Sequence, residues 1–128
     1  MEKEFIPYEQ ALALKELGFR EHCAAFYSTE EELCFKWESN GNMSLHLLRL
    51  IQTPTFSQAF RWFREKYSLY SHVRESYSFD NTLEFVSQIN GSYVNRGISS
   101  STSVNSFETY EEAELECLKK LIEIVKEM

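Results

Sequence analysis

The sequence predicts an α+β fold in which helices pack on one face of a mainly antiparallel sheet of about five strands. Three segments, at the two ends and in the middle of the chain, carry apolar residues at helical spacing beside helix-capping residues. The segments between them show the alternation and the turn residues of strands and hairpins. The predicted order is therefore α-β-β-β-α-β-β-α, which is typical of a small α+β domain.

Size and composition favour a single globular domain over residues 1–128. The chain has 128 residues, of which 43% are hydrophobic and 15% aromatic. A chain of this size and content can bury a core without metals or disulfides. Since the sequence shows no internal repeat and no linker, we predict no further division.

The first helix is predicted over about 7–17. Pro7 suits the first helical turn, where its missing N–H costs nothing, and Gly18 is placed as a C′ glycine. Two short strands, 23–28 and 33–37, are predicted to follow, joined by an acidic turn at Thr29–Glu32.

A third strand is predicted over 43–47. Asn40-Gly41 is typical of a tight hairpin turn. After it, three apolar residues alternate with Ser44 and His46, as they do in a half-buried strand.

The central helix is predicted to begin near Thr55, which forms a capping-box pattern with Gln58. Its apolar stripe falls at helical spacing on Phe56, Ala59, Phe60, Phe63 and Tyr67. Trp62 lies on the flank of this stripe, so we expect it away from the centre of the core.

Two longer strands, roughly 69–79 and 83–89, are predicted to turn at Asp80-Asn81. Residues 91–106 are polar and rich in serine, and we interpret them as a mobile loop or a loosely held edge strand. A second capping box, Thr109–Glu112, begins the last helix. The predicted buried face of that helix comprises Tyr110, Ala113, Cys117, Leu118, Leu121, Val125 and Met128.

Three phrases of the sequence carry a resemblance: FIPYEQALALKELGF (5–19), PTFSQAFRWFREKY (54–67) and TYEEAELECLKKLIEIVK (109–126). They resemble a family of small uncharacterised proteins of gut Bacteroidetes and their phages, and they cover 47 of the 128 residues. The resemblance implies kinship at the level of the fold and an origin in a phage or other mobile element. It implies no catalytic residues, cofactor or mechanism.

The charge distribution bears on the class of partner. A net charge of −7 disfavours a nucleic-acid-binding protein, because that affinity comes from lysines and arginines that neutralise phosphates. Residues 49–96 nevertheless carry a local excess of two positive charges, and most of that excess lies near the central helix. Such a segment can steer a small anion or an acidic partner.

The sequence provides few groups for catalysis, so we predict no enzymatic activity. His22, His46 and His72 are far apart and match no metal-ligand motif, and Asp80 is the only aspartate. We therefore predict no metal and no cofactor. The three cysteines, Cys23, Cys34 and Cys117, lie in apolar contexts and are interpreted as small core residues.

The candidate binding site centres on AFRWFREKY (59–67). In the functional interpretation Trp62 provides a stacking plane, and its basic neighbours hold phosphates. The site residues are Trp62, Arg61, Arg64, Lys66, Arg74 and Arg96, with His72 and the loop at 97–103 as further contributors. In the structural alternative Trp62 packs under a loop and the arginines pair with acids, for example Arg61 with Glu65.

Our first functional hypothesis is a non-enzymatic binding protein of a mobile element, which engages a host protein or a small anionic ligand through a surface near Trp62 and the loop at 91–106. The alternatives are a nucleic-acid or nucleotide-binding module that uses the central helix, and a small hydrolase. A second copy of the chain is a further candidate partner. No apolar run approaches the length of a membrane span, so we expect a cytoplasmic protein without membrane contact.

Overall fold

The computed structural model confirms the α+β fold class. It describes residues 4–28, 30–35, 51–91, 101–103 (backbone only) and 106–127. The element order is α1 Tyr8–Glu16, β1 Ala25–Tyr27, β2 Leu33–Phe35, β3 Ile51–Thr53, α2 Phe56–Tyr67, β4 Leu69–Tyr77, β5 Leu83–Gly91, β6 Ser101–Ser103 and α3 Tyr110–Lys126. The order agrees broadly with the prediction, with one strand more before the last helix.

The strands are divided between two antiparallel sheets, of order β2-β1-β3 and β4-β5-β6. The prediction of one sheet of about five strands is therefore not confirmed. The chain separates into two compact units, Met1–Ala59 and Phe60–Met128, each with its own sheet. That residues 1–128 form one domain stays a prediction.

In the first unit, β1 lies between β2 and β3 and is buried along its whole length. The turn before β2 closes through the Ser28 N–H, which donates to the Glu32 carbonyl at 2.9 Å, as the predicted acidic turn requires. Helix α1 ends in a Schellman motif. Gly18, at φ 99°, donates to the Lys15 carbonyl, and Phe19 donates to the Leu14 carbonyl. The predicted role of Gly18 is thus confirmed.

Strand β3 was not predicted, although the sequence contains a signal for it. Thr53 precedes Pro54, and a residue before proline is restricted to extended conformations. The segment is anchored by the Thr53 hydroxyl, which donates to the Ile6 carbonyl at 2.7 Å. The predicted strand at 43–47 and its Asn40-Gly41 turn lie outside the described residues.

Helix α2 begins as predicted, because the Thr55 hydroxyl accepts a hydrogen bond from the Gln58 N–H at 3.2 Å. The Gln58 side chain does not complete a capping box. It donates to the His22 carbonyl instead, at 2.9 Å, and so ties the helix to the segment before β1.

The buried face of α2 is rotated from the predicted one. Phe56, Ala59, Trp62 and Phe63 are buried, whereas Phe60 and Tyr67 are half-buried. At 100° per residue, the centre of the buried face lies about 50° from that of the predicted stripe. The rotation carries Trp62 into the core and moves Phe60 toward its edge.

In the second unit, β4 and β5 form a nine-residue hairpin that pairs from Leu69↔Gly91 to Tyr77↔Leu83. The turn contains the predicted Asp80-Asn81 pair. Asp80 accepts hydrogen bonds from the Ser78 hydroxyl and the Thr82 N–H, and Asn81 adopts φ 64°. Strand β6 pairs with β5 through residues 101–103, so this part of the predicted loop is an edge strand in the described sheet.

Helix α3 packs on one face of this sheet, against β4 and β5. Thr109 caps it, accepting a hydrogen bond from the Glu112 N–H at 3.2 Å, as predicted. Its buried residues are Ala113, Cys117, Leu118, Leu121, Ile122 and Val125. One residue of the predicted face differs, because Tyr110 is 44% exposed. Met128 lies outside the described residues.

Candidate functional site

Trp62, the centre of the predicted site, is a core residue with 7% of its surface exposed. Its ring packs edge-on against Phe63 and Tyr67, with centroid distances of 5.0 and 5.4 Å. The Lys66 ammonium lies 5.1 Å from the indole centroid and forms a cation–π contact with it. The indole therefore offers no exposed stacking plane in this structure, and the expected place of Trp62 away from the core is wrong. That Trp62 takes part in ligand binding stays a prediction.

The predicted cations that the structure describes lie in different surroundings. Arg61 and Arg64 are exposed on the face of α2 opposite the buried one, and Lys66 is engaged by the indole. Arg74 is exposed on β4, where its cross-strand partner is Val86. Arg96 lies outside the described residues.

The structural alternative is not realised in full either. The described part of the chain holds two ion pairs, Lys119–Glu116 and Lys120–Glu123, both within α3. The expected pair of Arg61 with Glu65 is therefore not formed. Anion binding at Arg61 and Arg64 stays a prediction, without support from the indole.

The groups considered for metal or nucleophile chemistry are dispersed within the described residues. No three His, Cys, Asp or Glu side chains there are close enough together to hold a metal ion. His22 and His72 are exposed, and His46 lies outside the described ranges. The cysteines follow the sequence prediction at Cys23 and Cys117, which are buried, and depart from it at Cys34, which is half-exposed.

A small polar cluster lies between α3 and its sheet. The Ser71 and Ser87 hydroxyls are buried there without a hydrogen bond of normal geometry, close to the Cys117 thiol. Burial raises the pKa of Cys117 to about 11, and the two hydroxyls oppose the shift only in part. Such a thiol is chemically inert, since the thiolate is the nucleophile. The cluster is therefore a structural feature of the core.

We expect the three thiols to differ in reactivity with iodoacetamide at pH 8. Cys34 should be alkylated first, because Cys23 and Cys117 are 1% and 0% exposed. At that pH only about a thousandth of the buried Cys117 thiol is ionised. Intact mass followed over time should show one fast adduct, with the other two only after addition of urea. Fast modification of Cys117 in the folded protein would contradict the described packing.

Four of the five exposed large apolar side chains of the described residues lie at or beside the turn end of the β4–β5 hairpin. We call this group the hairpin-end surface, formed by Tyr77, Phe79, Leu83 and Tyr110. Phe79 is fully exposed in the turn, and Tyr77, Leu83 and Tyr110 are 62%, 43% and 44% exposed. Tyr77 and Leu83 are cross-strand partners, so their side chains are neighbours on the sheet.

Packing geometry explains why these side chains are uncovered. The Phe85 ring meets Tyr110, the first residue of α3, edge-on at 5.9 Å. The next pair on the same face of the hairpin, Tyr77 with Leu83, therefore lies beyond the N-terminus of the helix. The hairpin is longer than the helix can cover.

Carboxylates lie within two residues of each aromatic member of this surface. We call them the acidic rim: Glu75, on the same face of the hairpin as Tyr77, and Asp80, Glu108, Glu111 and Glu112. Residues 74–85 and 106–114 together hold seven acidic side chains and one basic, a net charge of −6 against −7 for the whole chain. No rim carboxylate forms an ion pair within the described ranges. Burial, and then the charges of Glu114 and nearby groups, raise the pKa of Tyr110.

Sequence reasoning missed this surface for two reasons. It placed Tyr110 on the buried face of α3 by helical spacing alone, and it continued the strand through Phe79. A signal was present in YSFDNTL (77–83), where large apolar residues flank and enter a turn that is usually polar.

Among the described residues, no helix has both the length and the apolar character needed to cross a membrane. No family model, curated protein or solved structure matches this chain. The kinship with small proteins of gut Bacteroidetes and their phages therefore stays a prediction.

Proposed function

We propose that this chain is a non-enzymatic binding protein that engages another protein through the hairpin-end surface. The observation that carries the proposal is the exposure of four large apolar side chains in the described chain, three at the turn end of the hairpin and Tyr110 at the start of α3, in contact with Phe85 of that hairpin. Exposed apolar clusters with a polar border are typical of protein interaction sites. Tyrosine and phenylalanine are also enriched at the centres of such sites.

Compared with the hypothesis drawn from the sequence, the proposal keeps the function and moves the site. A host protein as the partner, and the role of an accessory protein of a phage or mobile element, rest on the sequence resemblance alone. A cytoplasmic location and the absence of enzymatic activity belong to the same proposal.

Selection of peptides from a yeast-displayed random library, with the wild-type protein as target, tests the proposal. Phe79→Ala should lower the affinity of the protein for the selected peptides at least about tenfold, as removal of a central aromatic side chain does at interfaces. Tyr70→Ala is the matched control, because Tyr70 is another exposed aromatic residue, 54% exposed near the opposite end of β4. Equal affinity for both variants would refute the proposal.

A small anionic ligand is the second candidate, favoured by one observation. Arg61 and Arg64 are exposed and, within the described residues, make no ion pair. Two exposed arginines on one helix face form a weaker site than a built pocket. A phosphate titration followed by NMR would support this candidate if it shifted the arginine side-chain resonances at saturable concentrations, and would reject it otherwise.

A further inference from the structure

We infer that the partner bound by the hairpin-end surface presents a cationic amphipathic segment, with apolar side chains at its centre and lysines or arginines around them. The inference rests on the proposed function and adds the chemistry of the partner. It follows from the combination of two features at one place, namely the exposed aromatic residues and the acidic rim.

The apolar part determines what the centre of the partner must be. Tyr77 and Leu83 stand side by side, and Phe79 projects from the adjoining turn. These side chains can be withdrawn from water only by apolar groups of the partner. A purely charged chain such as polylysine would leave them exposed.

The rim determines the charge of the partner. Glu75 pairs across the hairpin with Phe85 and lies two residues before Tyr77, so it is on the same face of the hairpin as the apolar centre. On the other side, the Phe85↔Phe107 bridge holds Glu108 close to the hairpin. Because none of these carboxylates has an ion-pair partner in the described chain, the rim is available to a cationic partner.

The same electrostatics disfavours the other occupants of this surface. A second copy of the chain would bring two acidic rims together, and like charges opposed at an interface cost several kcal/mol. Nucleic acids and anionic lipid surfaces carry phosphates, which carboxylates repel. A basic protein segment is the class that satisfies both the apolar centre and the rim.

The test compares two amphipathic peptides of the same length and pattern, one of leucine and lysine and one of leucine and glutamate, by NMR titration of the full chain. We expect saturable binding of the lysine peptide, with the largest shifts at Tyr77, Phe79, Leu83 and Tyr110. Its affinity should exceed that of the glutamate peptide by at least about tenfold and fall as salt is added.

Two triple variants separate local from general charge. Glu75→Gln/Glu108→Gln/Glu111→Gln removes three rim charges, and Glu9→Gln/Glu16→Gln/Glu127→Gln removes three exposed charges elsewhere. The rim variant should bind the lysine peptide about fivefold or more weakly than the wild type. The control variant should lose much less affinity. Circular dichroism should show both variants folded, and the comparison of the two peptides on the wild type needs no variant.

The outcomes distinguish the two levels of the proposal. Equal affinity for both peptides at the hairpin-end surface, or an equal loss of affinity for the lysine peptide in both triple variants, overturns the inference of a cationic partner. The proposed function would still stand. If the chemical-shift changes caused by the peptides lie elsewhere on the protein and are the same in Phe79→Ala, the proposed function itself is overturned.

Discussion

Replacing Trp62 with alanine is expected to lower the free energy of unfolding by about 3–5 kcal/mol, the usual cost of removing a buried tryptophan. The indole is 7% exposed and packs against two further rings of the same helix, Phe63 and Tyr67. The loss includes the cation–π contact with Lys66. Urea unfolding followed by far-UV circular dichroism measures the change.

Phe60→Ala is the matched control for this prediction. Periodicity alone placed Phe60 in the core and Trp62 on its flank, whereas the structure places Trp62 in the core and leaves Phe60 half-buried. We therefore expect Phe60→Ala to cost clearly less than Trp62→Ala. A reversed order would show that the buried face of α2 is the one that periodicity predicted, and that the indole is exposed.

Gly91→Ala is expected to destabilise the second unit by about 1–3 kcal/mol, the usual cost of overpacking a core. A Cβ at this position would lie 2.7 Å from the Leu69 Cδ2 and 2.9 Å from the Ser68 carbonyl oxygen. Leu69 is fully buried, and Ser68 adopts φ 55° at the junction between α2 and β4. Neither neighbour can move away without disturbing the core or the junction, so the midpoint of urea unfolding should fall.

Ser87→Ala tests whether any change on this strand has the same effect. Ser87 lies on the same face of β5 as Gly91, four residues earlier, and its buried hydroxyl lacks a hydrogen bond of normal geometry. Removing a polar group that is already unsatisfied should leave stability unchanged or raise it. A Gly91→Ala variant as stable as the wild type would show that the two strands do not approach so closely.

The structure of α2 also shows how the folded helix differs from the binding site that its sequence suggests. A segment with three cations and four aromatic rings resembles a binding site in sequence. In the structure, Trp62 and Phe63 are core residues, Lys66 covers the indole, and only Arg61 and Arg64 remain on the exposed face. Of the four exposed aromatic side chains in the described residues, Tyr77, Phe79 and Tyr110 lie at the hairpin end and Tyr70 lies near the opposite end of β4.

Much of the local structure could be predicted because it depends on neighbours a few residues away. The C′ role of Gly18, the caps at Thr55 and Thr109, and the turn at Asp80-Asn81 all belong to this class. Each feature is set by backbone conformation or by hydrogen bonds that span fewer than six residues. The α+β class followed from the same local signals.

The features that decide the candidate site could not be predicted in this way. Helical spacing shows that a buried face exists, and it cannot select between faces 50° apart when aromatic residues populate both, as estimated from the helical repeat. Which face of α2 is buried depends on what packs against it. The division of the strands into two sheets likewise depends on pairings between distant segments.

By itself, then, the sequence determined the fold class, most element boundaries and the absence of known catalytic motifs, since these follow from local propensity and composition. Only the tertiary structure decided that Trp62 is covered and that Tyr77, Phe79, Leu83 and Tyr110 are not. The physical reason is relative length. Helix α3 begins level with Phe85, two cross-strand pairs short of the end of the hairpin, and no pattern within either segment records where the other ends.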